Sequence, residues 1–246
     1  MRVPDPTALT DYVLGGPESI FKRAPGGHLV ILGDGIDKAV LDRLQLTSER
    51  LSGIAEDVQN VISLPDPTVE SFDAKQLSNG LNVSRKRVPL GVIGTIYESR
   101  PNITIDISVL CIKSGNAVIL RGGKESARSN MVLSNVVRES IEVAGVPPDA
   151  VQFIKSTDRS VVTKMLQMKN YIDLMIPRGG SDLVMRVARE ATMPAITGGI
   201  GVCHIYVDKD ADISKAVAIT YNSKVSRPYV CNALDTVLIH SDVASN

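Results

Sequence analysis

Cys231 is the residue whose type and surroundings best suit covalent chemistry. It lies in KVSRPYVCNA, a predicted loop between a helix and a strand, and Lys224 and Arg227 are close to it in sequence. Cations near a thiol favour the thiolate, which is the nucleophilic form. A single cysteine beside valine and alanine is also typical of a small buried residue, and composition alone favours this second interpretation, so both stay open at this point. Cys111 and Cys203 lie inside apolar stretches and are predicted to be structural.

Two glycine turns that follow predicted strands are candidate sites for a nucleotide phosphate. Such turns direct backbone N–H groups and positive charge towards an anion beyond the carboxyl ends of the strands. Neither turn carries the GxGxxG fingerprint, and a solvated surface turn is the alternative interpretation for each. The candidate residues are Arg121, Gly122, Gly123 and Lys124 in the first turn, and Arg178, Gly179, Gly180 and Ser181 in the second.

The elements that must position these residues follow from apolar periodicity. Val40, Leu41 and Leu44 predict one helix, and a second helix follows the cap candidate Thr47 and stops at Leu64-Pro65. Residues 82–88 alternate like a solvent-facing strand or hairpin arm. Strands are predicted at 91–96, 117–120, 151–154, 171–176, 202–207 and 236–240, with helices at 101–113, 127–144, 158–168, 181–190 and 213–224, and a short strand at 195–196. This alternation predicts an α/β fold with a doubly wound parallel sheet.

The charge balance and the cysteine count limit the partners and the compartment. Lys plus Arg equals Asp plus Glu at 27 each, so no net field favours nucleic acid or an anionic membrane. The sequence has no apolar run that would span a bilayer, and its first residues do not resemble a signal peptide. The spacing of its three cysteines fits neither a disulfide framework nor a zinc site. We therefore expect a small-molecule substrate, no metal and a cytoplasmic protein.

Four motifs in order carry a family resemblance. They resemble the glutamate-5-semialdehyde dehydrogenases, or γ-glutamyl phosphate reductases, of the aldehyde dehydrogenase superfamily, a domain that is also the second half of pyrroline-5-carboxylate synthase. The resemblance runs from about Asp34 to the end of the sequence. The motifs are VPLGVIGTIYESRPNITID, CIKSGNAVILRGGKESARSN, YIDLMIPRGGSDL and SRPYVCNALDTVLIH.

The resemblance implies an aldehyde-dehydrogenase-like fold in three parts. Residues 1–33 are an unaligned N-terminal arm, residues 34–200 hold helices and an NADPH-binding α/β domain, and residues 201–246 begin the catalytic domain. Family members continue beyond this point and carry a Gly-Ser-x-His-Thr segment that this sequence lacks. We therefore expect a truncated catalytic domain. The alternative function is a catalytically inactive, nucleotide-binding remnant, or a partner of a full-length enzyme.

The implied reaction is the NADPH-dependent reduction of γ-glutamyl phosphate to glutamate 5-semialdehyde and phosphate, the second step of proline biosynthesis. Cys231 matches the family nucleophile and would form a thioester. Its backbone N–H and a side chain from Ser99 or Asn102 are the expected oxyanion donors. Thr197 lies roughly where oxidising aldehyde dehydrogenases carry a water-activating glutamate, and its presence suits a thioester that meets hydride instead of water.

Further expectations concern charge and partners. Arg121 and Lys124 are expected to carry the 2′-phosphate of NADPH. Lys224 and Arg227 are candidate anchors for the substrate's phosphate or α-carboxylate, on chemical grounds alone. The family implies a homo-oligomer and a partnership with glutamate 5-kinase, and a mitochondrial matrix location if the parent is the animal bifunctional enzyme.

Overall fold

The computed structural model describes residues 44–198, 201–228 and 230–245. The described chain forms two compact units, and the division falls between Thr197 and Gly198. The predicted arm at 1–33 lies outside the described residues, as do Val40 and Leu41 of the first predicted helix. We take each unit by itself.

The described part of the N-terminal unit contains first a helix and then a hairpin. Helix α1, Ser48–Ser63, starts at the predicted cap Thr47, whose Oγ1 accepts a hydrogen bond from the backbone N–H of Arg50 at 3.2 Å. The helix stops before Leu64-Pro65 because proline cannot continue it. Strands β1, Ser71–Gln76, and β2, Asn82–Lys86, then pair antiparallel. The predicted hairpin arm is confirmed, although SFDAKQ carries no alternation that would have identified β1.

A four-stranded parallel sheet forms the centre of this unit, in the order β5-β4-β3-β6. The predicted alternation of strands and helices is confirmed. Strand β6 begins later than expected because Tyr171 closes a turn on Met168 before the strand starts. The elements are β3 Val92–Tyr97, α2 Ile103–Lys113, β4 Ala117–Arg121, α3 Ala127–Val143, β5 Val151–Phe153, α4 Ser160–Leu166, β6 Leu174–Arg178 and α5 Ser181–Glu190.

The sheet is covered on both faces, as a doubly wound sheet requires. Neighbouring residues of β3 point to opposite cores: Tyr97 joins the core with α1, α2 and α3, whereas Ile96 joins the core with α4 and α5. Both side chains are buried, at 0% and 1% exposure. The α/β fold class predicted from the sequence is therefore confirmed.

The C-terminal unit contains one parallel strand pair and its crossover helix. Strand β7, Cys203–Val207, pairs with β8, Leu234–Ile239, and α6, Ile213–Val225, connects them. Helix α6 starts at Asp212, whose carboxylate accepts from the N–H of Lys215 at 3.1 Å. The strand predicted at 195–196, in the other unit, is only a single bridge between Ala195 and Met175.

Candidate functional site

The carboxyl edge of the four-stranded sheet brings the two predicted glycine turns together. The chain leaves β3 for β4 on one side and later returns to pair β6 on the other side of β3. Ligands of doubly wound sheets bind at the carboxyl ends of the strands where the strand order reverses in this way. The turn at Arg121 follows β4 and the turn at Arg178 follows β6, so the two turns flank the end of β3.

Glu125 fastens the turn after β4 to the turn after β3. Its Oε1 accepts two hydrogen bonds from Ser99, one from the backbone N–H at 2.8 Å and one from the hydroxyl at 2.9 Å. Ser99 has φ +44°, a conformation that residues other than glycine rarely adopt. The carboxylate therefore holds a strained backbone position at the end of the central strand.

Glu98 makes the corresponding connection to the turn after β6. Its Oε2 accepts from the backbone N–H of Gly180 at 2.9 Å, at the start of α5. A Cβ built on Gly179 would lie 2.5 Å from the same oxygen, so a larger residue there would displace the Glu98 carboxylate. A carboxylate thus occupies one of the N–H groups that we had expected to receive a phosphate.

Arg121 connects β4 to the loop after β5. Its Nη2 donates to the backbone carbonyl of Thr157 at 3.1 Å, and the side chain is only 8% exposed. Burial lowers the pKa of Arg121, while the nearby carboxylate of Glu125 raises it. The buried Nε has no hydrogen-bond partner in the described chain. A buried donor without a partner is costly, so an anion bound at this edge would satisfy it, which fits a nucleotide phosphate.

A network of buried hydrogen bonds packs against the turn at Gly122. Asn130 is fully buried and donates to Ser126 Oγ at 3.0 Å, while its Oδ1 accepts from Thr104 at 3.3 Å. Thr104 in turn shares a 2.7 Å hydrogen bond with the Tyr97 hydroxyl. A Cβ on Gly122 would lie 2.0 Å from the Asn130 amide nitrogen. The glycine is thus required by the close approach of Asn130.

The two predicted oxyanion donors of this unit differ in their free hydrogen-bonding capacity. The single hydroxyl proton of Ser99 is given to Glu125. Asn102 gives one N–H to Asp106 at 2.9 Å, and an amide nitrogen carries two such groups. Asn102 therefore has more capacity than Ser99 to donate a further hydrogen bond. Burial raises the pKa of Asp106 to about 6. The hydrogen bond from Asn102 lowers this pKa, and the nearby charge of Asp57 raises it.

Cys231 lies in the C-terminal unit, in a turn before β8. The turn is closed by the N–H of Ala233, which donates to the carbonyl of Val230 at 3.0 Å. The Cys231 side chain is exposed, whereas Cys111 is buried, and burial raises the pKa of the Cys111 thiol to about 12. Of the three thiols, Cys231 is therefore the one that a solute can reach most freely.

The surroundings of Cys231 include a second thiol that the sequence did not point to. The Cys203 Sγ donates to the Cys231 carbonyl at 3.5 Å. Lys224 donates through Nζ to the carbonyl of Leu234 at 2.8 Å, and Arg227 is exposed. Lys224 thus supports the start of β8, and its predicted contact with substrate stays a prediction, as does that of Arg227.

The sequence missed the residues that join the turns. Glu125 directly follows the four residues of the first glycine turn and was given no role, and Asn130 was not singled out. The signal for Asn130 is a polar residue four positions after Ser126 on the apolar face of a helix. The contact between Glu125 and Ser99 has no such signal, because it depends on β3 and β4 being neighbours in the sheet.

No group of three potential metal ligands occurs among residues 44–198, 201–228 and 230–245. Within these same ranges, no helix has the length and apolar content needed to cross a membrane.

Comparisons with known proteins identify the family of this chain and its fold. Over 211 residues the chain is 55% identical to a γ-glutamyl phosphate reductase of Dehalococcoides mccartyi, covering 86% of this chain and 50% of the relative. It also matches the crystal structure of the Thermotoga maritima γ-glutamyl phosphate reductase with a TM-score of 0.80 and 41% identity, covering 86% of this chain and 51% of the other. The chain thus spans about half the length of the relatives that it matches.

A more distant match supports the fold alone. An engineered glycolyl-CoA reductase, solved with bound NADP⁺, aligns with a TM-score of 0.71 at 18% identity, over 98% of this chain and 51% of that one. The aldehyde dehydrogenase family model matches residues 49–246, which is most of the sequence. The chain belongs to the aldehyde dehydrogenase family.

Proposed function

We propose that this chain provides the cofactor-binding unit and the nucleophile of a γ-glutamyl phosphate reductase. The reaction would be the NADPH-dependent reduction of γ-glutamyl phosphate to glutamate 5-semialdehyde and phosphate. The observation that carries the proposal is the exposed Cys231 thiol, in a turn that precedes a strand, in a chain 55% identical to an enzyme of that name.

Cys231 would act as the covalent catalyst. Its thiolate attacks the acyl carbon of γ-glutamyl phosphate, a carbon–sulfur bond forms, and the phosphate leaves with the electron pair of the broken carbon–oxygen bond. The product is a thioester on Cys231. NADPH supplies the hydride that this thioester needs for reduction to the aldehyde. The backbone N–H of Cys231 is the proposed donor to the oxyanion, and the roles of Ser99 and Asn102, which belong to the other unit, stay predictions of the family resemblance.

The carboxyl edge of the four-stranded sheet would hold NADPH. Lys124 is exposed and Arg121 has a buried Nε without a partner in the described chain, so the two cations suit the 2′-phosphate, which NADH lacks. Glu98 already occupies the N–H of Gly180. A phosphate near α5 would therefore use the N–H groups of the next residues, Ser181 and Asp182, which have no partner within the helix itself.

The second candidate function is a nucleotide-binding remnant or a partner of a full-length enzyme. It is favoured by the apolar surface of the C-terminal unit, where α6 has no buried residue. Val217, Ile219 and Tyr221 of α6 are 56% to 67% exposed, and Leu238 and Ile239 of β8 are each 51% exposed. Parallel strands are normally covered on both faces, so further polypeptide would stabilise this unit. A homo-oligomer and a glutamate 5-kinase partner remain predictions.

The deciding experiment is the reverse reaction, because the acyl phosphate is unstable. Reduction of NADP⁺ by glutamate 5-semialdehyde would be followed with and without phosphate, for the chain and for Cys231→Ser. Phosphate-dependent turnover that disappears in Cys231→Ser supports the reductase. No turnover with NADPH binding retained supports the remnant, and neither turnover nor NADPH binding contradicts both.

A further inference from the structure

We propose that Cys203 and Cys231 form a reversible disulfide, in which Cys203 acts as the resolving thiol for oxidised Cys231. The inference concerns two side chains of one compact unit and does not require the chain to turn over. It gains a consequence for activity only if Cys231 is the nucleophile of the proposed function.

The contact between the two residues is direct. The Sγ of Cys203 lies 3.5 Å from the carbonyl oxygen of Cys231. That oxygen and the Cα of Cys231 are bonded to the same carbonyl carbon, so the Cα of Cys231 is also near the Cys203 sulfur. A disulfide requires the two Cα atoms to lie within about 7 Å of each other, and this contact brings the Cys203 sulfur to the backbone of Cys231.

The local backbone keeps the two cysteines next to each other. Cys203 is the first residue of β7 and pairs with Leu234, the first residue of β8. Gly201 packs so closely under the Cys231 carbonyl that a Cβ there would lie 2.6 Å from the oxygen. Cys231 therefore sits in a turn that is joined to β7 by both the strand pairing and this contact.

The exposure of the two thiols sets the order of events. Cys231 is exposed and Cys203 is partly buried, so a small oxidant reaches Cys231 first. A peroxide transfers one oxygen to the Cys231 thiolate, its O–O bond breaks, and sulfenic acid and hydroxide result. The Cys203 thiolate then attacks the sulfenic sulfur, the S–S bond forms and hydroxide leaves. In sum, two thiols and one hydrogen peroxide give a disulfide and two waters, and a dithiol reverses the change.

The consequence is protection of the reactive thiol. A sulfenic acid without a nearby thiol is oxidised further to sulfinic and sulfonic acids, which are not recovered by dithiols. Disulfide formation with Cys203 would halt the oxidation of Cys231 at a recoverable stage. In the proposed reductase, the oxidised chain would lose its nucleophile while keeping the sheet edge of the other unit intact.

Peptide mapping tests the proposal on the wild-type chain. The chain is treated with about one equivalent of hydrogen peroxide, blocked with an alkylating agent and digested with trypsin. We expect a disulfide-linked pair of peptides covering residues 190–209 and 225–246, which disappears after dithiothreitol. Cys111 serves as the internal control, because its burial in the other unit keeps it unmodified until the chain is unfolded.

Variants make the result specific. Wild type and variants are then compared in a several-fold excess of peroxide, because oxidation of one thiol to sulfinic acid consumes two equivalents. In Cys203→Ala the linked peptides should be absent and Cys231 should accumulate as sulfinic acid, whereas Cys231→Ser should leave Cys203 largely reduced. The proposal is overturned if wild type and Cys203→Ala form sulfinic acid at the same rate with no linked peptides. It is also overturned if the only disulfides join two different molecules, which non-reducing electrophoresis of dilute protein would show.

Discussion

The carboxylate of Glu125 receives both the backbone N–H and the hydroxyl of Ser99, at 2.8 and 2.9 Å. This pair is one of several connections along the carboxyl edge of the sheet that join the ends of neighbouring strands. Arg121 joins the end of β4 to Thr157 after β5, and Glu98 joins the end of β3 to Gly180 after β6. Side chains of the turns themselves therefore hold together, by hydrogen bonds, the sheet edge at which we place the cofactor.

Glu125→Ala should destabilise the chain, because it leaves the Ser99 N–H without its acceptor and releases a residue at φ +44°. Loss of hydrogen bonds to a charged group costs about 1.5–3 kcal/mol. Glu125→Gln keeps a carbonyl oxygen in place of Oε1 and should cost less than half as much. Urea unfolding at pH 7 measures both free energies. Equal losses in the two variants would mean that the charge, and not the hydrogen bonds to Ser99, stabilises the turn.

The close packing of the Gly122 turn can be tested by a pair of identical substitutions. Gly122→Ala places a Cβ 2.0 Å from Asn130 Nδ2 and 3.2 Å from the Tyr97 ring, and overpacking of this kind costs about 1–3 kcal/mol. Gly53→Ala, inside α1 with nothing within 4 Å of the new Cβ, should instead stabilise by about 0.5–1 kcal/mol. Thermal unfolding of both variants would show opposite shifts. A stabilising Gly122→Ala would contradict the packing described around Asn130.

The contrast between these sites shows how far sequence patterns reach. The cap at Thr47 and the strand–helix alternation were predictable, because capping and amphipathic periodicity act over a few residues. The role of Glu125 was not, since Ser99 lies 26 residues away and meets it only after β3 and β4 pair. The position of Cys231 in a turn before a strand was predicted as well. Its neighbour Cys203 was predicted to be structural, because it lies in an apolar stretch of the sequence. In the structure it is the partly buried first residue of β7.

Lys124 and Arg121 should differ in what they contribute to NADPH binding. Lys124 is exposed, so Lys124→Ala should lower the affinity for NADPH about tenfold and leave the affinity for NADH unchanged. A tenfold loss corresponds to about 1.4 kcal/mol, as expected for one charge-assisted contact. Arg121→Ala should lower the affinity for NADPH further. It should also lower the stability of the chain, because the Thr157 carbonyl loses its hydrogen bond. Arg128→Ala, an exposed cation on α3, is the matched control. Fluorescence titration with both nucleotides measures the affinities, and equal losses for NADH and NADPH would exclude a contact with the 2′-phosphate.

Cys231→Ser should remove turnover and leave NADPH affinity unchanged within about twofold, because a hydroxyl is a much weaker nucleophile than a thiolate. Cys111→Ala should instead leave the chemistry intact and cost about 1–2 kcal/mol of stability as a small core truncation. The phosphate-dependent assay and nucleotide titration are run on both. Retained turnover in Cys231→Ser would remove this thiol from the mechanism. Lost turnover in a folded Cys111→Ala would mean that the reactive cysteine is a different one.

Asp106 should give the chain a measurable pH dependence of stability. Burial raises the pKa of Asp106 from its ordinary value of 3.8 to about 6, so between these pH values the folded chain binds more protons than the unfolded chain. Stability contributed by this group is therefore full below about pH 4, falls as the pH rises towards 6, and is constant above that. Asp106→Asn cannot ionise and can still accept the hydrogen bond from Asn102.

The free energy of unfolding of Asp106→Asn should accordingly equal that of the wild type near pH 4 and exceed it at pH 7 by about 1–2 kcal/mol. This figure is smaller than the full linkage value because water partly screens the half-buried carboxylate. Urea unfolding at pH 4, 5, 6 and 7 measures the difference. Asp182→Asn, which removes an exposed carboxylate at the start of α5, controls for the change in net charge. A constant difference between wild type and Asp106→Asn across the series would mean that folding does not raise the pKa of Asp106.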